Sequence, residues 1–283
     1  MKKSFIFILL SNIVLSSCTE DPPLSVSELS PSATYLHLAH TRTDANPYMD
    51  SIVESIDYSA LNMLWLGGDL AWSSSISDEV INHADSIFDF GNLNTLWALG
   101  NHDYFDLNRI EAATGRPPFY AYYKNGITFL VLDTQDSVSS ITSEQLALLS
   151  NIKDTIRSSS HLILLHHKLL WMRGNPDLEP LIDSISNGPA GECDWCINPN
   201  NFYHDVYPLL LDVKRNGIEV LCIAGDIGGK VSEFQHLTDD GIFLLASGIN
   251  AGFTGNKALL FKHNIRAKSL SWKYQLLTHF LAQ

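Results

Sequence analysis

Cations are scarce in this chain. Its 283 residues carry 18 Lys and Arg against 31 Asp and Glu, a formal net charge of −13 at pH 7. Such a chain repels nucleic acid and anionic membrane, which argues against polyanion binding as its function. No internal repeat is present and polar tracts are short, so neither a solenoid nor long disorder is expected. Long apolar runs are missing too. Residues 5–15 form the most continuous one, and it falls short of the roughly 20 residues a spanning helix needs. Cysteine is sparse, with four residues in all. Cys222 lies in the apolar run 220–224 and reads as a buried core thiol. Cys193 and Cys196 form Cys-Asp-Trp-Cys in a loop, where a local disulfide is the expected pairing in an oxidising compartment. No thioredoxin-like pattern surrounds them, and a zinc site would need two further ligands nearby.

What is present begins with a leader. Lys2 and Lys3 precede the apolar run, as in a secretory signal. The run ends in Leu15-Ser16-Ser17-Cys18, which resembles the lipobox of bacterial lipoproteins. That resemblance implies a signal peptide over 1–17 and a lipid on Cys18 that anchors the chain without spanning. The protein is then an exported lipoprotein of the cell envelope. An ordinary signal peptide with an incidental cysteine is the alternative. Residues 18–32, rich in Ser, Pro and acid, read as a solvated tether, and 33–283 as one domain.

That domain is organised around two copies of one device. Met63-Leu64-Trp65-Leu66-Gly67-Gly68-Asp69 and Thr95-Leu96-Trp97-Ala98-Leu99-Gly100-Asn101-His102-Asp103 are each an apolar run ending in glycine and then in polar residues. Short apolar runs bounded by glycine read as buried strands. Polar side chains just past the ends of parallel strands converge on the crevice where open α/β sheets hold ligands. Asp69, Asn101, His102 and Asp103 carry oxygen and imidazole groups suited to a divalent metal and to proton transfer.

Around this stretch strand-like and helix-like segments alternate. Strands are expected over 34–38, before Gly67, before Gly100, and over 161–165 and 219–224. Helices are expected over 49–56, 77–88 with Ser77 as cap, 107–114, 142–158 with Thr142 as cap, and 202–216. Asn125-Gly126 marks a hairpin between 120–123 and 127–132. The tail, over 242–246, 258–263 and 270–277, reads as antiparallel β. Strand–helix alternation followed by hairpins suggests a sheet sandwich with helices outside it. Residues 171–201 form a long irregular insertion, either a substrate-facing lid or a surface elaboration stapled by a disulfide.

Four strand ends thus carry candidate ligands in the order Gly67-Gly68-Asp69, Gly100-Asn101-His102-Asp103, His166-His167 and Gly225-Asp226. This order resembles the calcineurin-like metallophosphoesterases over nearly all of the domain. The resemblance implies a four-layer αββα sandwich, an α/β fold, with a metal centre at the strand ends that hydrolyses phosphate esters. Two departures accompany it. Where the family opens with Asp-x-His, this chain has His40-Thr41-Arg42. Where it closes with Gly-His-x-His, this chain has Gly225-Asp226-Ile227-Gly228.

Gly228 cannot ligate through a side chain, and the guanidinium of Arg42 would repel a metal. One divalent ion, Mn, Fe or Zn, is therefore expected, held by Asp69, Asn101, His166 and Asp226 with His40 as a possible fifth ligand. Family position favours His166 over its neighbour, leaving His167 behind the ligands or facing substrate. Arg42 is expected to bind a phosphate oxygen, or else to serve only as an ion-pair partner of Asp69 or Asp226. His102, oriented by Asp103, is expected to protonate the leaving oxygen of a small-molecule phosphate ester. A binding protein that has lost hydrolysis on the same scaffold is the alternative function. His37 and His161 read as ordinary buried histidines, and Asp133 as a support for the site.

Overall fold

A computed structural model describes residues 31–281 of the chain. The signal peptide, Cys18 and most of the tether lie outside the described residues. The first strand, β1 (Ser32–Leu38), starts with Ser32 opposite Asn264.

The remaining elements follow in order: α1 (Ser51–Glu54), β2 (Met63–Leu66), α2 (Asp78–Phe88), β3 (Thr95–Trp97), α3 (Leu107–Thr114), β4 (Tyr120–Lys124), β5 (Ile127–Val131), α4 (Ser143–Thr155), β6 (His161–His166), α5 (Ile182–Ile185), α6 (Tyr207–Arg215), β7 (Glu219–Ala224), β8 (Glu233–Leu237), β9 (Phe243–Ser247), β10 (Lys257–Asn264) and β11 (Ser269–Leu276). The expected caps operate. The Ser77 side chain accepts from Val80 N–H and Thr142 accepts from Gln145 N–H, each satisfying a backbone donor that the first helical turn leaves open. Asp106 does the same for α3, which ends at Gly115 in the left-handed region. Asn125 and Gly126 both have positive φ, 53° and 79°, as a tight hairpin turn requires.

Two sheets result. One runs in the order β11-β10-β1-β2-β3, the other β4-β5-β6-β7-β9-β8. β1, β2 and β3 are parallel, as are β5, β6, β7 and β9; antiparallel strands close both edges of the second sheet and one edge of the first, whose other edge is the parallel β3. Three apolar layers account for the four-layer αββα sandwich. Tyr35, Trp65, Phe129, Ile163, Ile223 and Phe261 pack between the sheets. The outer face of the first sheet is covered by side chains of α1, α2 and α3, that of the second by α4 and α6. Strand periodicity explains the division: Leu162 and Leu164 face the helices, whereas Ile163 and Leu165 face the other sheet.

Three expectations need correction. The helix over 49–56 shrinks to Ser51–Glu54, because Met49 pairs with Arg42 in a β-bridge and Asp50 caps Ile52 N–H. β9 is parallel to β7 and not part of an antiparallel tail, because the turn after β8 reverses the chain. β8 itself escapes the sequence pattern, since Glu233, Gln235 and Leu237 are exposed on an edge strand that needs no apolar alternation.

The inner layer buries histidines as neutral rings. Burial pushes His37 down to about 3, aided by the charge of His166. His161 falls to about 4, through burial first and His263 second. Both rings take up protons on unfolding, so stability should hold above pH 6.5 and decline as pH falls toward 4. Each contributes a slope of up to about 1.4 kcal/mol per pH unit. Denaturant unfolding measured between pH 8 and 4 should show this decline, and His161→Gln should make it shallower.

Candidate metal centre

The two sheets are brought together at one end by a contact that only glycine permits. A Cβ at Gly225 would lie 2.0 Å from the Gly67 carbonyl oxygen, and one at Gly67 would lie 3.0 Å from Gly225 Cα. The ends of β2 and β7 therefore touch backbone to backbone, and the residues that follow, Asp69 and Asp226, enter one crevice. Both are buried. His40 and Asp69 hold positive φ, 54° and 57°, a region costly for side chains larger than glycine and often kept at functional sites.

His167 stands between the two carboxylates. Its Nδ1–H donates to the Gly67 carbonyl at 2.7 Å, which leaves Nε2 as the free nitrogen. Nε2 lies 3.6 Å from Asp69 Oδ1 and 3.8 Å from Asp226 Oδ1, beyond hydrogen-bond range, and has no partner. Burial disfavours a charged ring there, yet Asp69 and Asp226 outweigh it and hold the His167 pKa above its ordinary value. Burial also drives the Asp226 carboxyl upward despite His167. Asp69 is held below the usual carboxylate range, because His167, His40 and His102 together overcome its burial. Asp69 Oδ1 further accepts His102 N–H at 3.0 Å.

Around this pair lie His40 and Arg42. His40 Nδ1–H donates to the Ile249 carbonyl at 2.9 Å, and its Nε2 is 3.9 Å from Asp69 Oδ2. Arg42 Nε is also 3.9 Å from Asp69 Oδ2, and the guanidinium lies over the Trp72 ring at 4.8 Å. Arg42 is thus close to Asp69 without a tight ion pair. Asn101 is half-buried on the adjoining loop.

Three expected roles change. His166 turns to the helix side of β6, as the alternation of Leu162 and Leu164 requires. There its ring packs edge-on against Trp171 at 4.7 Å, and its Nδ1–H donates to the Lys168 carbonyl. Burial drops its pKa to about 4. His167 takes the place expected for it, and the signal was present: residues 163, 165 and 167 share the inner face. Asp103 does not orient His102. Its carboxylate accepts the N–H groups of Asp69 and Gly100 at 2.8 Å each and that of Leu70 at 3.1 Å, together with Ser74 Oγ–H and Trp97 Nε1–H. His102 is oriented instead by the Trp72 carbonyl, which accepts its Nδ1–H at 2.6 Å. Trp72, which touches both His102 and Arg42, carries no motif that the sequence could have revealed.

The donors around His167 have the chemistry of a divalent-cation site. Ligands about 2.0–2.2 Å from a shared ion lie roughly 3–4 Å apart, which matches the two spacings around His167 Nε2. The orphaned nitrogen and the mixed carboxylate and imidazole donors suit Mn, Fe or Zn. Among the described residues no group of three or more His, Cys, Asp or Glu side chains is placed to hold a metal ion as it stands. At Gly228 φ is +133° and a Cβ would lie 2.4 Å from the Ile249 carbonyl oxygen, so no histidine fits there.

The insertion reaches this centre. Asn187 N–H and Ser186 Oγ–H both donate to the Asp226 carbonyl. Cys193 and Cys196 are disulfide-bonded, and buried Lys168 donates to the Asp194 carbonyl between them at 2.6 Å.

Gly100 gives a direct test of the geometry. A Cβ there would lie 2.1 Å from Asp69 Oδ1 and 2.8 Å from His167 Cε1. Gly100→Ala should cost about 1–3 kcal/mol of stability in thermal or denaturant unfolding by overpacking, and should lower bound metal per chain by displacing both donors.

No protein-family model matches the chain, and no curated protein matches it in sequence. Solved structures do match in shape. A dimetal phosphatase from Danio rerio aligns with a TM-score of 0.50 at 11% identity, over 82% of this chain and 96% of that one. A 5'-nucleotidase precursor from Thermus thermophilus aligns at 0.46 and 12% identity, over 87% of this chain and 54% of its own. With its paired mixed sheets and outer helices, the chain has the fold of that dimetal phosphatase, the four-layer αββα sandwich that the sequence resemblance implied.

Proposed function

We propose that the chain hydrolyses a small-molecule phosphate ester, mono- or diester, at a centre built for one divalent cation. One observation carries this reading: the buried, partnerless His167 Nε2 set at ligand spacing from Asp69 and Asp226. Asp69, His167 and Asp226 would hold the ion, with Asn101 and His40 at its border. When bound, it supplies Lewis-acid neutralisation of phosphoryl charge and acidifies water.

The chain's own groups do the rest. Arg42, over the Trp72 ring and only loosely engaged by Asp69, offers its guanidinium to phosphate oxygens, which it matches bidentately. The Trp72 carbonyl fixes the Nδ1–H tautomer of His102, so a second proton on His102 sits on Nε2 and passes from there to the leaving oxygen. Asp103 positions both loops without touching substrate. The insertion covers the Asp226 side and limits water.

Gly228 favours a second reading, a phosphate-ligand-binding protein without hydrolysis, because one half of a paired metal centre has no side chain there. The lipobox-like end supports export and a lipid anchor through Cys18 at the cell envelope, and the disulfide suits an oxidising compartment. No helix among the described residues is long and apolar enough to cross a membrane.

Metal content and turnover of aryl phosphate mono- and diesters test the proposal together. One ion per chain with turnover is expected, and Asp69→Asn should lose both. Wild-type chain that takes up no Mn²⁺, Fe²⁺ or Zn²⁺ would overturn the metal centre, while one that binds phosphate without turnover supports the second reading. His102→Gln should lower kcat by about 10²–10⁴ for alkyl esters and less for nitrophenyl esters, whose leaving groups need little protonation.

A further inference from the structure

A cleft of about 690 Å³ is bordered by His40 and Arg42, the neighbours of Asp69, and by Asp44, Asp50, Asn187 and Lys230. Asn187 is the insertion's contribution to it. Its Oδ1 accepts Gly229 N–H at 2.8 Å, which settles which end of the amide is which, since an N–H can meet only the oxygen. Nδ2 therefore points away from Gly229, and it is buried without a hydrogen-bond partner. A buried amide donor left without an acceptor is costly and marks a place where a ligand atom is missing.

The residue is also firmly placed. Its N–H donates to the Asp226 carbonyl at 3.1 Å, Ser186 Oγ–H donates to the same oxygen at 3.3 Å, and Lys230 Nζ holds the Ser186 carbonyl at 2.6 Å. On the other side, a Cβ at Gly188 would lie 2.1 Å from the Trp195 carbonyl oxygen and 3.4 Å from Asp226 Oδ2. The segment is wedged between the disulfide loop and the end of β7. Asn187 is thus fixed in place through Gly229, one residue beyond Gly228, where no side chain can grow.

We propose that Asn187 is a substrate-binding residue, donating from Nδ2 to a non-bridging oxygen of the phosphate group that Arg42 also binds. The inference rests on the phosphate-ester reading above. Phosphate fits the Arg42 and Asn187 side of the cleft, because its oxygens accept at an ionised ester while a guanidinium and an amide N–H₂ only donate; of the cleft's two carboxylates, Asp50 is engaged by the N–H groups of Ile52 and Gly252, and Asp44 lies exposed to solvent. The insertion is then part of the binding site, and its disulfide serves to hold one amide in position.

The test is binding of inorganic phosphate, by titration calorimetry on the full chain with Mn²⁺ present. Asn187→Asp keeps the oxygen that Gly229 N–H needs and replaces the donor with a second, charged acceptor. Asn187→Ala removes the donor without adding charge. Both should weaken phosphate binding by about tenfold or more, as expected for a lost hydrogen bond to a charged group, with metal per chain unchanged. Unaltered affinity in either variant overturns the role of Asn187, and if the alanine variant does not fold, the aspartate variant decides. Should wild-type chain hydrolyse aryl phosphates while both variants bind phosphate normally, only Asn187 is wrong. A wild type that neither binds phosphate nor hydrolyses these esters overturns the proposed function with it.

Discussion

The carboxylate of Asp103 is the constraint on which the centre depends. It draws backbone N–H groups from the loop after β2, at Asp69 and Leu70, and from the loop after β3, at Gly100, and adds the Ser74 hydroxyl and the Trp97 indole. A buried carboxylate accepting this many donors needs no solvent, although burial and the nearby Asp69 still raise its pKa. Two loops that would otherwise diverge become one rigid surface. Asp69 is then held with positive φ and its side chain aimed into the crevice. Across that crevice the Gly67–Gly225 contact fixes the second sheet at backbone distance, which leaves His167 and Asp226 no other direction to face.

Electrostatics at the centre follow from this crowding. Asp69 and Asp226 are buried, and positive charge nearby comes from Arg42 and from a protonated or cation-bearing His167. Arg42 stays 3.9 Å from Asp69, so neither charge is fully spent on the other. This leaves the guanidinium on the Trp72 face free to meet an anion. On the proposed reading, a cation between the carboxylates and a phosphate beyond it would balance these charges. Arg42 and Gly228, which has no room for a side chain, stand where the related family has two of its ligands.

Much of this was legible along the chain, for reasons that are local. Capping residues, the Asn125-Gly126 turn, and the glycine-terminated strands before Asp69 and Asn101 are all set by neighbours a few residues away. The placement of α2, α3, α4 and the β4–β5 hairpin follows from them. β8 was not legible, because an exposed edge strand is defined by its partner β9 and not by its own pattern. Likewise the short α1 is set by a bridge between Arg42 and Met49.

The order of residues alone settles which groups arrive at the strand ends: carboxylates at 69, 103 and 226, imidazoles at 40, 102 and 166–167, and a guanidinium at 42. It also settles the acidic balance and the irregular insertion, since composition and short-range turn chemistry need no partner. Packing assigns what each group does. It turned Asp103 inward to bind backbone, set His167 rather than His166 between the carboxylates, gave His102 to the Trp72 carbonyl, and brought Asn187 beside Gly229. These roles depend on distances between segments far apart along the chain, and such distances exist only once two sheets have packed around a common core.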